Sequence, residues 1–276
     1  MAAPSETRQN VGQGAGLRYM IERGLGADMA LYHKPGYHVS WFDEGLSEFR
    51  VLVRGTPGYM ANECDGYTTV TNTARLLLAL DQWGEEYRRT ASSGPFRARL
   101  AVNAARIGRP DKPNWSPAVA EVFADLRTPP WTGADEALAL FETAMARIMH
   151  EYPAMDLAWE RIAWLPGGQT DPANWIVQSA IRGALAVDGH QASTYTSRPA
   201  GQTEMGLLAS AGVPTAKIFG GPGVPGNLPN PELPADLRQG FTMSGAYGPH
   251  IVKAAQVMVY VIVDTLTRTR EEVGLS

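Results

Sequence analysis

The side chains able to do chemistry are few and scattered. Histidines stand at positions 33, 38, 150, 190 and 250, and the one cysteine is Cys64. A lone cysteine rules out an internal disulfide framework and a cysteine-rich zinc site. Glycine-rich turns, VGQGAG at 11–16 and GGPGVPG at 220–226, invite a phosphate reading. The first carries no Gly-Lys-Ser/Thr and its spacing fits no nucleotide fingerprint, so it reads as a tight turn into a helix, and the second as a turn after a strand. Taken alone, Asn114, ahead of Trp115 and Pro117, is a turn residue. Arg127, close to Asp125, is a surface ion pair. His33 and His250 read as loop or capping histidines, and Tyr59 as a packing residue.

The bulk properties set the frame for these residues. The chain has 276 residues, 44% of them hydrophobic, 19% charged and 9% aromatic. That is an ordinary soluble globular composition, long enough for one large or two modest domains. A net charge of -4 leaves no basic footprint and argues against nucleic acid. The polar start, MAAPSETRQN, carries no secretory signal, and the stretch 251–266 is too short and too polar for a bilayer. A reducing cytoplasm fits the single cysteine.

The middle of the chain has the clearest periodicity. EFRVLVRG alternates apolar and charged residues, as a half-buried strand does. TTVTNTARLLLALDQWGEEYRR has helical spacing. RARLAVNAARIG and AVAEVFADLR alternate again. GADEALALFETAMARIMHEY is a second amphipathic helix, and MDLAWERIAWLP a last strand. Strand, helix, strand, strand, helix, strand is the split βαβ or ferredoxin-like order, expected over 46–166.

The flanks, 1–45 and 167–276, read as pieces of one α/β domain interrupted by that insert. VGQGAG leads into a helix at Leu17–Ile21, and ADMALYHKPG is a short strand closed by Pro35 and Gly36. After Asp171 come the helix ANWIVQSAIRGALAV, the strand STYTS, the helix EMGLLASAG with a glycine C-cap, and the strand TAKIF. A proline- and glycine-rich loop spans 223–247, and a last helix is expected from Pro249 to Glu272. So few strands make a thin sheet for several helices, and helix faces and strand edges would be left unpaired.

Local motifs in this order carry a resemblance. VGQGAGLRYMIERGLGADMALYHKP, EFRVLVRGTPGYMA, KPNWSPAVAEVFADLRTPP and GQTEMGLLASAGVPTAKIFGGPG together resemble the zinc-dependent aminoacylase, acetylornithine deacetylase, succinyl-diaminopimelate desuccinylase and carboxypeptidase G family. The resemblance covers nearly all of the chain. It implies an α/β fold in which a zinc-peptidase-like domain is interrupted by a ferredoxin-like lid that dimerises. It also implies hydrolysis of amide or peptide C–N bonds, as in N-acyl-amino-acid deacylation, by a zinc-dependent enzyme. Homo- or heterodimers through the lid and a small amide substrate bearing a carboxylate are the implied partners, with no nucleic acid or membrane.

The departures from that family are equally specific. Its first zinc ligands form a His-x-Asp pair, and no histidine here is followed two residues later by Asp. A gap-free alignment puts Arg8 and Gln9 at the family's acidic pair; a small insertion puts Glu6 there as a candidate catalytic base. Lys34, beside His33, aligns with a glutamate. The C-terminal ligand histidine has no clear counterpart, and a shifted alignment recruits His250. Tyr59 aligns with the lid histidine. Two like charges ~4 Å apart repel by about 4 kcal/mol even at an effective dielectric of about 20, so Arg8 and Lys34 would oppose zinc. The resemblance therefore implies an incomplete zinc site, with His33 and His250 as the weak metal candidates and no metal held by this chain as one outcome. On the substrate side it implies Asn114 near the carbonyl and Arg127 for a carboxylate, whose shape a guanidinium fork matches. Gly201, Thr203 and Glu204 match its substrate loop.

Two expectations follow. One is a hydrolase member or subunit that needs a missing segment or partner. The other is a non-catalytic relative that pairs with and regulates a complete homologue, or binds a carboxylate without chemistry. An unrelated ferredoxin-like sensor module would not need the flanking α/β pieces.

Overall fold

The computed structural model describes residues 14–24, 26–33, 38–59, 68–94, 96–108, 111–189, 193–194, 203–218 and 248–275. In chain order, α1 (Ala15–Glu22) precedes β1 (Ala30–His33), β2 (His38–Val39) and β3 (Phe42–Asp43). The next stretch holds β4 (Gly45–Arg54), β5 (Gly58–Tyr59), α2 (Thr68–Ala91), β6 (Arg99–Arg106), β7 (Trp115–Ser116), β8 (Val119–Thr128), α3 (Ala134–Glu151) and β9 (Asp156–Leu165). Then follow β10 (Gly168–Gln169), α4 (Trp175–Asp188), β11 (Ser193–Thr194), α5 (Met205–Ser210), β12 (Thr215–Ile218) and α6 (Gly248–Leu266). The chain divides into two compact units. One contains Glu44–Gly167, and the other is Leu17–Asp43 with Gly168–Ser276.

The first unit is an antiparallel sheet of order β6-β8-β4-β9. With α2 between β4 and β6, and α3 between β8 and β9, this is the ferredoxin-like order. Alternation decides which face is buried. Along β8, Ala120, Val122, Ala124, Leu126 and Thr128 are buried while the residues between them are half-exposed. Those inward residues meet Leu76 and Leu80 of α2 and Phe141, Met145 and Ile148 of α3 in the core. Phe49 of β4 stacks on Phe141 with ring centroids 3.8 Å apart.

Helix α2 approaches the sheet through Gly84. A Cβ added there would sit 2.8 Å from the carbonyl oxygen of Leu100 on β6. In a solvent-exposed helix, Gly to Ala gains about 1 kcal/mol of propensity. Here overpacking against backbone costs about 1–3 kcal/mol and outweighs it. Gly84→Ala is therefore expected to lower the urea midpoint; a raised midpoint would show that α2 can move off β6.

In the second unit β1 pairs with β12 in parallel and β2 with β11 in parallel. The two pairs join where Ser40 and Lys217 exchange backbone hydrogen bonds of 2.9 and 2.7 Å. Helices α4 and α6 cover one face, around Val177, Ala180, Ala216, Ile218, Val257 and Val261. Asn174 caps α4 by accepting from the Ile176 N–H at 3.1 Å, and Gly189 ends it in the left-handed conformation. The Arg182 and Arg268 guanidinium groups both lie over the Trp175 ring, and Arg182 also bonds to Asp264 at 2.6 Å, tying α4 to α6.

One helix end meets the sequence expectation of a closing glycine, and one differs from it. Helix α5 stops at Ser210, and the left-handed residue is Gly212, where the Val213 N–H reaches back to the Leu208 carbonyl at 3.0 Å. Helix α6 ends at Leu266, not Glu272. The reason is a capping box in Thr-Arg-Glu-Glu. The Thr269 N–H donates to the Glu272 carboxylate at 2.8 Å, and the Glu272 N–H donates to the Thr269 hydroxyl at 3.3 Å, which starts a new turn. The strand STYTS is described over Ser193–Thr194, and the 223–247 loop lies outside the described residues. Among the described residues, no helix is long and apolar enough to cross a membrane.

Candidate functional site

Lys217 sits inside the short buried strand β12, flanked by Ala216 and Ile218, and is 1% exposed. A lysine so deep needs a partner. Asp43, fully buried at the end of β3, supplies it through a Lys217 Nζ to Asp43 Oδ1 ion pair. The other oxygen, Asp43 Oδ2, accepts the Thr203 N–H at 2.9 Å and the Thr203 hydroxyl. Thr203 Oγ1 in turn accepts the Met205 N–H at 3.3 Å, at the start of α5. Beside it, the Tyr32 hydroxyl donates to Glu204 Oε2 at 2.6 Å. Burial, then the bond to Glu204, pushes the Tyr32 hydroxyl pKa far up, so it stays a donor.

These groups gather at β1 and β12, two parallel strands. In open α/β sheets the carboxyl ends of such strands are where ligands bind. Glu204 is an acceptor held by Tyr32, on a turn pinned by Asp43. Both Thr203 donors go to Asp43, so Thr203 anchors the turn rather than offering those donors to a substrate. Gly201 lies outside the described residues. Sequence reasoning missed Asp43, Lys217 and Tyr32. The available signal was the lysine in TAKIF, since a charge inside an apolar strand requires a buried acid elsewhere.

The inserted unit carries the other candidates at opposite ends of its sheet. Register places Tyr59 opposite Trp115, with ring centroids 6.0 Å apart, and Asn114 is the next residue in the chain. Both Tyr59 and Asn114 are exposed. Arg127 lies on β8, eight residues beyond Val119, which is roughly 27 Å at strand rise. One small ligand therefore cannot touch Asn114 and Arg127 of the same unit. Arg127 donates through Nε and Nη2 to Asp125 at 2.7 and 2.9 Å, which closes that edge of its fork. Arg99 stands directly opposite Arg127 in the β6–β8 register. Glu44 compensates it, with Arg99 Nη2 to Glu44 Oε2 at 3.0 Å.

Solved structures share this architecture. An amidase of the hydantoinase/carbamoylase family from Burkholderia multivorans matches with TM-score 0.58 and 15% identity, over 86% of this chain and 54% of that one. A hydantoinase/carbamoylase-family amidase from Burkholderia vietnamiensis matches with TM-score 0.57 and 16% identity, over 90% and 59%. The dipeptidase Dug1p from Saccharomyces cerevisiae matches with TM-score 0.62 and 11% identity, over 92% and 63%. The chain has the fold of these amidases and this dipeptidase. It spans less than two thirds of the length of each. No protein-family model matches the sequence. No curated protein matches it either.

Within this amidase and dipeptidase fold, a dinuclear zinc centre would need several carboxylate or imidazole ligands converging on two ions. Among the described residues no group of three or more His, Cys, Asp or Glu converges in that way. His33 is exposed at the end of β1, and His250 falls in the first turn of α6. Glu6, Arg8 and Lys34 lie outside the described residues. The described residues do not by themselves supply such a centre.

Proposed function

We propose that this chain is part of an amide hydrolase, one that splits a C–N bond in a small substrate bearing a carboxylate, as in N-acyl amino acids or dipeptides. The anchored turn at Thr203–Glu204 carries the reading, because among the described residues it is the place where a buried charge network holds a half-buried turn near parallel strand ends. The fold shared with amidases and a dipeptidase supports it. A further neighbour, AtUAH, was solved with (S)-hydroxyglycine, itself a carboxylate (TM-score 0.60, 12% identity, over 86% of this chain and 53% of that one).

In this reading Glu204 faces the substrate, and Asp43, Lys217 and Thr203 hold its turn in place. Asn114 and Tyr59, on the inserted unit, are further candidates for substrate and catalysis by the resemblance alone. That unit acts as a lid and pairs with a second chain. Its edge strands β6 and β9, which lack an outer neighbour among the described residues, support the pairing. Zinc ligands are contributed by polypeptide beyond the described residues. A non-catalytic chain paired with a complete homologue is the second reading, favoured by the missing metal cluster among the described residues.

Calorimetry on the full chain tests the substrate class. N-acetyl and N-carbamoyl amino acids should bind at least tenfold more tightly than their carboxamides, which is about 1.4 kcal/mol. Equal affinities would sink the carboxylate assignment. Free-amine release and zinc content, measured on the same sample, separate the two readings. Release by an assembly containing this chain supports the hydrolase, and its absence with a bound homologue supports the regulator.

A further inference from the structure

The chain passes from one unit to the other at the peptide bond between Asp43 and Glu44. Both side chains are fully buried. Asp43 holds Lys217 and the Thr203 N–H. Glu44 faces groups from several elements of the inserted unit. Arg99 of β6 donates its Nη2 to Glu44 Oε2 at 3.0 Å. Arg127 of β8, itself paired with Asp125, adds a second positive charge, and the Arg97 backbone N–H also favours the carboxylate. Tyr87 of α2 is near enough that burial, then the charges of Glu44 and of Glu136 on α3, raise its hydroxyl pKa. Glu44 Oε1 nonetheless has no hydrogen-bond partner among the described residues.

A carboxyl group so enclosed fits best when neutral, and an ionised one must gain solvation that this position does not offer. The backbone at Glu44 then has to shift, and its two sides differ in what they can give. Strand β4 is held in long ladders on both edges, by β8 and by β9. Its first residue, Gly45, lies so close to Thr128 that an added Cβ would overlap the Thr128 hydroxyl oxygen. Strand β3 is two residues long and among the described residues pairs with β10 alone. The shift therefore runs towards Asp43, whose carboxylate is the acceptor for Thr203.

We propose that Glu44 is a pH-sensitive latch on the Thr203–Glu204 turn: neutral, it leaves Asp43 in place and the turn anchored, and ionised, it draws Asp43 off Thr203 and loosens the turn. Burial, opposed by Arg99 and Arg127, raises the Glu44 carboxyl to about 7. The turn is therefore held in mildly acidic solution and released as pH rises through that value. The latch goes beyond the amide-hydrolase reading and does not depend on it, since the turn responds whether or not it binds a substrate.

The Thr203 N–H donates straight to Asp43, so its hydrogen exchange reports the latch. The test follows exchange in the full chain without ligand, between about pH 5 and pH 8, with rates corrected for the intrinsic effect of pH on amide exchange. Protection of Thr203 should fall by roughly tenfold or more over that range, in the span of ordinary site-to-site coupling. Glu44→Gln should keep Thr203 protected throughout. Arg99→Met removes the nearest cation and should move the release to higher pH by roughly one unit. Val122 in β8 and Val257 in α6 serve as references, and their protection should fall less than that of Thr203. A flat wild-type profile at Thr203, or a release that Arg99→Met leaves in place, would overturn the latch. So would an equal loss at all three amides, which is global unfolding. A response that persists in Glu44→Gln would assign it to another group, a histidine for example, and overturn it as well.

Discussion

Asp43→Ala is expected to destabilise the fold by about 3–5 kcal/mol, because it strands a fully buried lysine. Lys217 is 2% exposed in its side chain and its charge is met by Asp43. The same change removes the acceptor of the Thr203 N–H and hydroxyl, two further donors in the interior. Each orphaned polar group adds about 1–3 kcal/mol when buried. Replacing both members, Asp43→Leu with Lys217→Met, should cost much less than the sum of the single changes, since a buried pair exchanged for apolar groups is close to neutral. Urea titrations of the wild type, both singles and the double give the coupling energy directly. A cost below about 1 kcal/mol for Asp43→Ala would mean that water reaches Lys217 and that the turn at Thr203–Glu204 has another anchor. If the anchoring is as described, Asp43→Ala under folding conditions also weakens ligand binding, through the turn rather than by contact.

The second large effect is a loss of stability as pH rises. Glu44 is fully buried in the inserted unit, and burial pushes its carboxyl from 4.5 up to about 7. Arg99 and Arg127 pull the other way, and desolvation wins. One carboxylate oxygen, Oε1, has no hydrogen-bond partner among the described residues. The folded pKa lies above the unfolded one, so between them the native state binds more protons than the unfolded chain. Stability from this group is therefore complete below pH 4.5 and falls as pH rises to about 7. At about 1.4 kcal/mol per pH unit the loss is roughly 3 kcal/mol. Glu44→Gln stays neutral and should flatten this part of the profile. Unfolding midpoints at pH 5 and pH 8 decide the matter. An identical decline in wild type and Glu44→Gln would assign the proton to another group.

Periodicity alone located the elements of the inserted unit. Strands β4, β6, β8 and β9 and helices α2 and α3 follow from alternation over EFRVLVRG or AVAEVFADLR and from 3.6-residue spacing over ALALFETAMARIM. Those signals are local, since side-chain direction repeats along each element. Short pieces such as β2, β3, β10 and β11 have no such signal. Each is two residues long and exists because a partner strand is there to pair with it. The capping box at Thr269–Glu272 was local as well and is visible in the residue types, but the apolar run of α6 masked it.

The candidate site divides along the same line. The amino-acid sequence by itself determined that Arg127 has Asp125 within reach along one strand, that Thr203 and Glu204 open a helix, and that a charged residue interrupts TAKIF. Only the tertiary structure decided that Lys217 meets Asp43, 174 residues away, that Asp43 in turn grips Thr203, and that Tyr32 holds Glu204. It also decided that Asn114 and Arg127 stand at opposite ends of one sheet. Partners across a buried ion pair are chosen by which strands lie side by side, a property of the assembled core that no spacing along the chain encodes.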